Sequence, residues 1–509
     1  MRGKVYLVGA GPGDPGLLTV KASRLIRDAD LLIYDYLANP DHLRLAKKEA
    51  VKIGLGKGYR YRRLGQQRIN RLIVRAARDG KQVVRLKGGD PYLFGRGGEE
   101  ALALYRNRVP FEVVPGVTSA TACAAYAGIP LTHREHNASV TFLTGHRADD
   151  ARLDSVRWSE LVALDGTLVV YMGFYNLGII AEKLIKAGMS ADTKVSVIEW
   201  GTLPRQKSCD GTLRDIQALA RRKGLKPPSL IVIGDVVSLR KELNWYERLP
   251  LFGQRVLITR TRDKSAALKD KLSELGAETI EFPTIEVKPL RHFAKMDETI
   301  KRLSEFDWVV FTSTYGVDAF FDRLSEKHRK DARAVGGLRV AAVGPQTAEV
   351  LKNRGILADA IPRPFETEAI LRYFKTSVSG IYAKKILLVR ADIAPENLEK
   401  GLEKMGSTVR RLTAYRTEMP KTASAALQKI KSKMLRGEID WVTFTSASTV
   451  RHFVKMVGLG AAKKIARKTR WASIGPVTSK TLRDFGLRPA CQARVYTIDG
   501  LVRAMQEAR

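Results

Sequence analysis

The sequence is poor in cysteine and contains no long apolar run. Its 509 residues include three cysteines, Cys123, Cys209 and Cys491, which are far apart and odd in number. We therefore expect a reducing compartment and neither a disulfide framework nor a clustered thiolate metal site. No apolar run approaches the roughly 20 residues that cross a bilayer, and the N-terminus lacks the tripartite pattern of a secretory leader. These observations predict a cytoplasmic protein without a membrane partner.

The sequence is also poor in acidic residues relative to basic ones. It has 53 Asp and Glu against 88 Lys and Arg, and a net charge of +35. Three explanations stay open: a general preference for Lys and Arg, nucleic-acid binding, or a strongly anionic small substrate attracted to a cleft. The basic residues are spread along the chain, and neither zinc-finger spacing nor an aromatic RNA-binding signature accompanies them. Charge alone does not choose among the three.

The first half contains three glycine-rich loops, GAGPGD at 9–14, LKGGDPYLFGRGGEE at 86–100 and VPGVTSA at 114–120. Glycine at a strand end lets the backbone approach a ligand closely, so three such loops indicate one large bound cofactor, with ordinary tight turns as the alternative. The first loop is not a dinucleotide fingerprint, because Asp14 replaces its third glycine and Pro12 lacks the N–H that would meet a pyrophosphate. A nucleoside without phosphates fits these loops better.

The first half also alternates short β-rich runs with amphipathic helical stretches. At this length we expect several domains, and the alternation predicts an α/β fold with ligands at the carboxyl ends of the strands. We predict a first domain over 1–245 and a linker over 246–253. The predicted strands are 4–10, 31–34, 82–86, 111–114, 139–144, 167–172, 195–200 and 230–235.

The second half repeats itself. Residues 255–287 resemble 385–417, residues 307–321 resemble 440–454, and residues 339–355 resemble 470–486, at offsets of 130 to 133 residues. Each unit alternates strands and helices, which predicts two similar α/β lobes with a cleft between them over 254–509.

Four strand ends in this half carry hydroxyl residues just before or inside the start of a helix. A helix N-terminus with free N–H groups and adjacent hydroxyls can hold a carboxylate, so we predict substrate contacts there, with simple capping of each helix as the alternative. The residues are Thr312, Ser313, Thr347, Thr445, Ser446, Thr478 and Ser479.

The first half resembles the uroporphyrinogen-III C-methyltransferase family through GAGPGDPGLLT, YDYL, RLKGGDPYLFGRGGEE, VVPGVTSA, GIPLTHR, TGH, YMG and GDVV, in this order. The resemblance implies a two-lobed α/β tetrapyrrole-methylase fold, S-adenosylmethionine as methyl donor, no metal and a homodimer. It implies a cofactor pocket lined by Pro12, Gly88, Gly89, Asp90, Leu93, Thr118, Ser119, Met172 and Gly201. For Met172, plain core filling is the alternative.

The same resemblance implies that Asp35 accepts a proton and that Lys57 donates one. A pyrrole carbon that takes a methyl group must lose a proton elsewhere, and a carboxylate at a strand end can accept it. The alternatives are a helix-capping Asp35 and a solvated Lys57. His133 and His146 have no third ligand at a useful spacing, so hydrogen bonding to substrate or packing is expected for them rather than metal binding.

The second half resembles the uroporphyrinogen-III synthase family through VLITR, FTS, VGPQTA, AYRT, TFTSAST and IGPVTS. The resemblance implies that hydroxymethylbilane is closed to uroporphyrinogen III with inversion of the last ring, and that Tyr415 helps the hydroxyl group leave. Packing is the alternative for Tyr415. It also implies exchanged chain segments, with lobe one formed by 254–287 and 415–509 and lobe two by 288–414.

Together the resemblances imply a bifunctional enzyme that makes precorrin-2, with methylation at C2 and C7, on the sirohaem and cobalamin branch. Its substrate would be a polycarboxylate tetrapyrrole, which accounts for the positive charge. Two alternatives stay open: a second half that only binds substrate, and a basic nucleic-acid-binding protein.

Overall fold

The structure is a computed structural model that describes residues 3–56, 65–145, 156–261, 264–363, 367–420 and 424–508. Residue contacts divide the chain into two units. Unit 1 comprises Met1–Gln254 with Leu272–Glu278, and unit 2 comprises Arg255–Lys271 with Thr279–Arg509. None of the helices within the described ranges is both long and apolar enough to span a bilayer.

The first lobe of unit 1 is a five-stranded parallel sheet in the order β3-β2-β4-β1-β5. The two central strands β1 and β4 bury most of their side chains because helices cover both faces of the sheet. The elements are β1 (Lys4–Gly9), α1 (Val20–Asp28), β2 (Leu31–Asp35), β3 (Val51–Leu55), α2 (Gln66–Arg78), β4 (Gln82–Lys87), α3 (Gly97–Arg106) and β5 (Phe111–Val114).

The second lobe of unit 1 is a mixed sheet in the order β6-β7-β10-β8-β9. Its first pair is parallel and the other three pairs are antiparallel. The elements are α4 (Ser119–Tyr126), β6 (Val140–Thr144), α5 (Trp158–Ala163), β7 (Thr167–Tyr171), α6 (Leu177–Lys186), β8 (Lys194–Glu199), β9 (Lys207–Thr212), α7 (Ile216–Arg222), β10 (Ser229–Ile233) and α8 (Arg240–Leu243).

The predicted α/β class is confirmed, and each of the eight predicted strands of this half lies within two residues of an observed one. The strands that the sequence pattern missed are β3 and β9. Both lie at a sheet edge and both carry exposed polar residues such as Lys52 and Asp210. An edge strand is covered less completely than a central one, so its apolar signal is weaker.

Two further five-stranded sheets and their helices lie in unit 2, apart from the residues of the segment Leu272–Glu278 that are grouped with unit 1. Lobe one has the order β12-β11-β18-β19-β20, and lobe two has the order β13-β17-β16-β14-β15. The lobe-one elements are β11 (Arg255–Ile258), α9 (Ala266–Glu274), β12 (Glu278–Glu281), α15 (Ser424–Arg436), β18 (Trp441–Phe444), α16 (Ala447–Val457), α17 (Leu459–Ile465), β19 (Arg470–Ser473), α18 (Pro476–Asp484), β20 (Cys491–Gln492) and α19 (Ile498–Glu507). The lobe-two elements are β13 (Glu286–Lys288), α10 (Ala294–Lys301), β14 (Trp308–Phe311), α11 (Thr314–Glu326), β15 (Arg339–Ala342), α12 (Pro345–Asn353), α13 (Thr367–Ser377), β16 (Lys385–Ala391), α14 (Asn397–Glu403) and β17 (Thr408–Glu418).

The sequence repeat corresponds to exchanged segments. Lobe one combines β11 and β12 of the first repeat with β18 and β19 of the second, and lobe two combines β16 and β17 with β14 and β15. The chain crosses after Glu281 and after Glu418, because β13 pairs with the end of β17 through Glu286 and Glu418. The crossings therefore differ by a few residues from the expected boundaries at 287 and 415, and Tyr415 lies in lobe two.

The expected linker is a folded part of unit 1. Tyr246 is 5% exposed, its ring centroid lies 4.8 Å from that of Tyr126, and its hydroxyl donates a hydrogen bond to the carbonyl of Thr202 at 3.3 Å. Trp245 donates from Nε1 to the carbonyl of Ala125 at 3.0 Å. Tyr246 and Leu251 are both buried, so the segment is packed into the domain and is not an extended linker.

We predict that Tyr246→Ala destabilises the protein, because it removes a buried aromatic ring and leaves a cavity. The expected cost is about 3 kcal/mol, which corresponds to a fall in Tm of several degrees in calorimetry of the full chain. The matched control is Tyr105→Ala, since Tyr105 belongs to unit 1 and is 74% exposed. Equal effects of the two substitutions would contradict the packed position of Tyr246.

Candidate functional site

The three glycine-rich loops meet at the carboxyl ends of β1, β4 and β5. The N–H of Gly11 donates to the carbonyl of Gly89 at 3.2 Å, and the N–H of Gly89 donates back to Gly11 at 2.8 Å. A Cβ atom at Gly116 would lie 2.4 Å from the carbonyl oxygen of Gly89 and 2.7 Å from Gly9 Cα. Backbone meets backbone here, so only glycine fits at this position without a shift.

The residues predicted on these loops border this junction. Pro12 follows Gly11 in the loop after β1, and Leu93 lies half-buried beyond β4. A Cβ atom at Gly88 would lie 3.0 Å from Leu37 Cβ, which leaves the backbone of the loop close to the strand end of β2.

Asp90 connects two of the loops. Its Oδ1 accepts a hydrogen bond from the N–H of Tyr92 at 2.8 Å, and its Oδ2 accepts one from the N–H of Gly116 at 3.0 Å. A carboxylate oxygen can accept more than one hydrogen bond. Asp90 therefore holds the loops in place and keeps acceptor capacity for a ligand.

The second lobe contributes Thr118, Ser119 and Met172. Thr118 Oγ1 and the hydroxyl of Tyr171 hydrogen-bond at 2.6 Å, and the N–H of Ala120 donates to the same hydroxyl at 3.0 Å. Ser119 is the first residue of α4. Met172 follows β7 with φ 54° and is 52% exposed, which excludes the alternative that it fills the core.

Gly201 follows β8 and packs on α4. A Cβ atom there would lie 2.5 Å from the sulfur of Cys123. The next residue, Thr202, accepts a hydrogen bond at Oγ1 from the N–H of Asp14 at 3.0 Å, and the hydroxyl of Tyr126 donates to Asp14 Oδ2 at 2.6 Å. These bonds join the loops of the two lobes, so all nine predicted pocket residues lie on strand-end loops or at a helix start around one junction.

Asp35 ends β2, and its side chain is 30% exposed. Its Oδ1 accepts a hydrogen bond from Arg85 Nη2 at 2.6 Å. The following short helical turn is capped by Asn39, so Asp35 is not the helix cap that the sequence left open. Lys57 lies outside the described residues, although Leu55 pairs with Asp35 and leads into that segment.

Charged residues that the sequence analysis missed lie beneath Asp35. Arg85 and Lys87 are 2% exposed and Glu100 is fully buried. Burial alone would lower the pKa of Arg85, but the carboxylates of Asp35 and Glu100 raise it overall. Burial, together with the neighbouring Arg85, lowers the pKa of Lys87. In the sequence, the presence of Arg85 and Lys87 within the otherwise apolar strand QVVRLK was the signal that could have predicted buried charges here.

The histidines of unit 1 do not assemble a metal site in the described ranges, where no group of three or more His, Cys, Asp or Glu is placed to hold an ion. His133 Nδ1 accepts a hydrogen bond from the N–H of Glu135 at 3.3 Å, and His146 lies outside those ranges. His42 is buried, its Nε2 lies 3.1 Å from the carbonyl of Ala10, and burial lowers its pKa.

In unit 2, two of the predicted hydroxyls cap the helices that follow them. Ser313 accepts at Oγ from the N–H of Gly316 at 3.1 Å, and Ser446 accepts from the N–H of Thr449 at 3.3 Å. Thr312 donates from Oγ1 to the carbonyl of Val389 at 3.3 Å. Capping therefore occurs at Ser313 and Ser446, as the alternative interpretation of the sequence predicted.

The other predicted hydroxyls differ in exposure. Thr445 is half-buried between β18 and α16. Thr347, Thr478 and Ser479 are buried, and Ser479 Oγ lies 2.6 Å from Ser473 Oγ in a fully buried pair. The Ser479 hydroxyl is turned inward and already bonded, which favours packing over the predicted substrate contact.

Tyr415 lies at the lobe-two side of a cluster that spans both lobes. It is 8% exposed and donates from its hydroxyl to Ser313 Oγ at 2.9 Å. Burial raises its pKa, so the phenol stays protonated at neutral pH. Its ring centroid lies 5.6 Å from that of Tyr315, whose hydroxyl lies 2.7 Å from Thr261 Oγ1 of lobe one.

Comparison with known proteins gives matches to both halves. The family model described as Tetrapyrrole (Corrin/Porphyrin) Methylases matches residues 4–217, and the one described as Uroporphyrinogen-III synthase HemD matches residues 266–503. The Porphyrin biosynthesis protein HemD of Ruminiclostridium josui is 37% identical over 506 residues, which is 99% of this chain and 98% of that protein.

Two further relatives match the first half or extend beyond it. The Uroporphyrinogen-III C-methyltransferase of Bacillus subtilis (strain 168) is 39% identical over 369 residues, 72% of this chain and 75% of that protein. The crystal structure of the uroporphyrin-III C-methyl transferase of Thermus thermophilus complexed with S-adenyl homocysteine is 39% identical, covers 46% of this chain and 99% of that one, and has a TM-score of 0.38.

The match over nearly the whole length of a relative, together with the two family models, shows the family. The chain belongs to the tetrapyrrole methylases in its first half and to the uroporphyrinogen-III synthases in its second, and it is an enzyme that joins a methyltransferase and a synthase in one polypeptide.

Proposed function

We propose that the second half closes hydroxymethylbilane to uroporphyrinogen III with inversion of the last ring, and that the first half methylates this product at C2 and C7 to give precorrin-2. The observation that carries the proposal is the junction of the three glycine loops in unit 1, beside the partly exposed carboxylate of Asp35. The product of the synthase step is the substrate of the methylation step, so a single chain with both halves is chemically consistent.

The residues around the junction fit S-adenosylmethionine. The space that a Cβ atom at Gly116 would take is occupied by backbone, and the loops present N–H and carbonyl groups without the pyrophosphate-binding pattern. Pro12, Gly88, Gly89, Asp90, Leu93, Thr118, Ser119, Met172 and Gly201 would hold the cofactor. When bound, it supplies a methyl group on a positively charged sulfur.

Asp35 would accept the proton that the methylated pyrrole ring must release. Its carboxylate is partly exposed at a strand end, and Arg85 holds one of its oxygens, so it is oriented without being fully buried. Lys57 would return a proton, a role that the resemblance implies.

The helix N-termini of unit 2 would receive the carboxylates of the open-chain substrate. Ser313 and Ser446 cap α11 and α16, which are equivalent helices of the repeat, and Thr312 and Thr445 directly precede these caps. Thr347 and Thr478 lie in the first turns of α12 and α18. Free N–H groups at a helix start favour anions. A net charge of +35 would add long-range attraction for a polycarboxylate.

Tyr415 would assist the departure of the hydroxyl group by hydrogen bonding. A protonated phenol can donate to the leaving oxygen, and the raised pKa of Tyr415 keeps it protonated as pH rises through neutrality. The synthase half would also hold the open-chain substrate in a conformation that brings its two ends together. This orientation lowers the barrier to ring closure.

We expect Asp35→Asn to leave S-adenosylhomocysteine binding unchanged and to lower kcat for methyl transfer by about 10² to 10⁴-fold, because the proton acceptor is lost. Calorimetric binding and a methyl-transfer assay measure the two quantities. The control is Asp30→Asn, which removes a carboxylate that precedes the same strand and pairs with Lys47. Unchanged turnover in Asp35→Asn would remove the proton-acceptor role.

For the synthase half we expect Tyr415→Phe to slow enzymatic ring closure by about 10²-fold and to increase the share of the type I macrocycle, which forms spontaneously. The substitution keeps the ring and deletes the hydroxyl that bonds Ser313. Chromatography of the products from hydroxymethylbilane gives both values, with Tyr382→Phe as the control because Tyr382 is 74% exposed in the same lobe. If both variants retain full type III formation, Tyr415 only packs.

A further inference from the structure

Four charged side chains form a buried cluster beneath the proposed proton acceptor. This Asp35 cluster consists of Asp35, Arg85, Lys87 and Glu100. Arg85 Nη2 lies 2.6 Å from Asp35 Oδ1, and Glu100 Oε1 lies 3.1 Å from both Arg85 Nε and Lys87 Nζ. The side chains of Arg85 and Lys87 are 3% exposed, that of Glu100 is 0% exposed, and that of Asp35 is 30% exposed.

The sheet register explains how the cluster assembles. Arg85 and Lys87 are two residues apart on β4 and therefore point to the same face, while Asp35 ends the neighbouring strand β2, in which Ile33 pairs with Arg85. Glu100 comes from the first turns of α3. Arg85 thus connects a partly exposed carboxylate to a fully buried one.

A purely structural role would not explain why this cluster is charged. Burying charges costs free energy, and well-packed apolar residues in place of a buried ion network are often neutral or stabilising. β4 is the central strand of the sheet, and its residues from Val83 to Lys87 are buried. The retained charges therefore indicate a use beyond stability.

Only one of the two carboxylate oxygens of Glu100 accepts hydrogen bonds from the described residues. Its Oε1 accepts from Arg85, Lys87 and Gln66, each at 3.1 Å, whereas its Oε2 is buried and accepts no hydrogen bond from the described residues. A carboxylate held in this way keeps negative charge close to Arg85, and this charge offsets part of the positive field that Arg85 and Lys87 exert on Asp35.

We propose that Arg85 and Glu100 are positioning residues for methyl transfer: Arg85 orients the Asp35 carboxylate, and Glu100 holds Arg85 and Lys87 in place and offsets part of their positive charge. The proposal rests on the proposed role of Asp35. Neither residue needs to touch the substrate, because each acts through the next member of the cluster.

The two residues therefore act on Asp35 with opposite sign. Arg85→Gln removes a cation that favours the ionised carboxylate, so the acid limb of the kcat–pH profile moves to higher pH. Glu100→Gln leaves Arg85 and Lys87 uncompensated, so the acid limb moves to lower pH and the plateau of kcat falls. Each shift is expected to be on the order of one pH unit, with unchanged KM for uroporphyrinogen III.

The experiment uses the full chain and measures kcat for methyl transfer across pH, the affinity for S-adenosylhomocysteine and the Tm of each variant. Arg85→Lys keeps the charge and should restore the position of the acid limb in part. The matched control is Lys4→Gln, because Lys4 begins the central strand β1 and pairs with Glu112 at 2.8 Å, away from the carboxyl ends of the strands. It should leave the profile unchanged.

The outcomes separate this proposal from the proposed function. An unchanged kcat in Asp35→Asn would overturn the role of Asp35 and the proposal with it. A slow Asp35→Asn variant, combined with folded Arg85→Gln and Glu100→Gln variants that shift in the same direction or not at all, would overturn only the positioning role. If Arg85→Gln does not fold, Glu100→Gln decides: a shift to lower pH supports the proposal, and any other result overturns it.

Discussion

The methyltransferase half depends on the close approach of backbone segments at Gly9, Gly89 and Gly116. The loops after three parallel strands touch without side chains between them, and the reciprocal hydrogen bonds of Gly11 and Gly89 fix their spacing. This contact determines which other groups can face a ligand. It directs Asp90 across two loops, leaves Met172 exposed beside them, and keeps the strand end of β2, with Asp35, next to the same junction.

The synthase half also places its polar groups at the carboxyl ends of strands, but without glycine-rich loops. Its strands also end in loops that begin helices, but serine caps and free N–H groups take the place that glycine backbone has in unit 1. The exchange of segments between the repeats brings residues distant in sequence together, and Thr261, Tyr315 and Tyr415 form one polar and aromatic cluster from both lobes. The methyltransferase half thus has closely packed backbone loops and the Asp35 carboxylate at its site. The synthase half has helix N-termini and the Tyr415 hydroxyl.

Much of this organisation is predictable from the sequence, because glycine loops, the internal repeat and apolar strands are local signals. Eight of the ten strands of the first half follow from them, whereas the pocket residues were implied by the family resemblance and stay a prediction. The edge strand β9 does not follow from local signals, since its polar residues face solvent, and Tyr246 does not, since packing of an aromatic is a tertiary property. The partners of Asp35 are also hard to predict, because they depend on sheet register. The pairing of β2 with β4 brings Arg85 next to Asp35. The inward direction of the Ser479 hydroxyl is likewise a tertiary property that residue type and position do not reveal.

Under the proposed function, the two halves act one after the other on the same tetrapyrrole. The most direct test supplies the purified full chain with hydroxymethylbilane and S-adenosylmethionine carrying a labelled methyl group, and identifies the product by mass and absorbance. The account predicts a type III macrocycle with two labelled methyl groups. A product that is only the type I macrocycle, or a type III macrocycle without label, would contradict it.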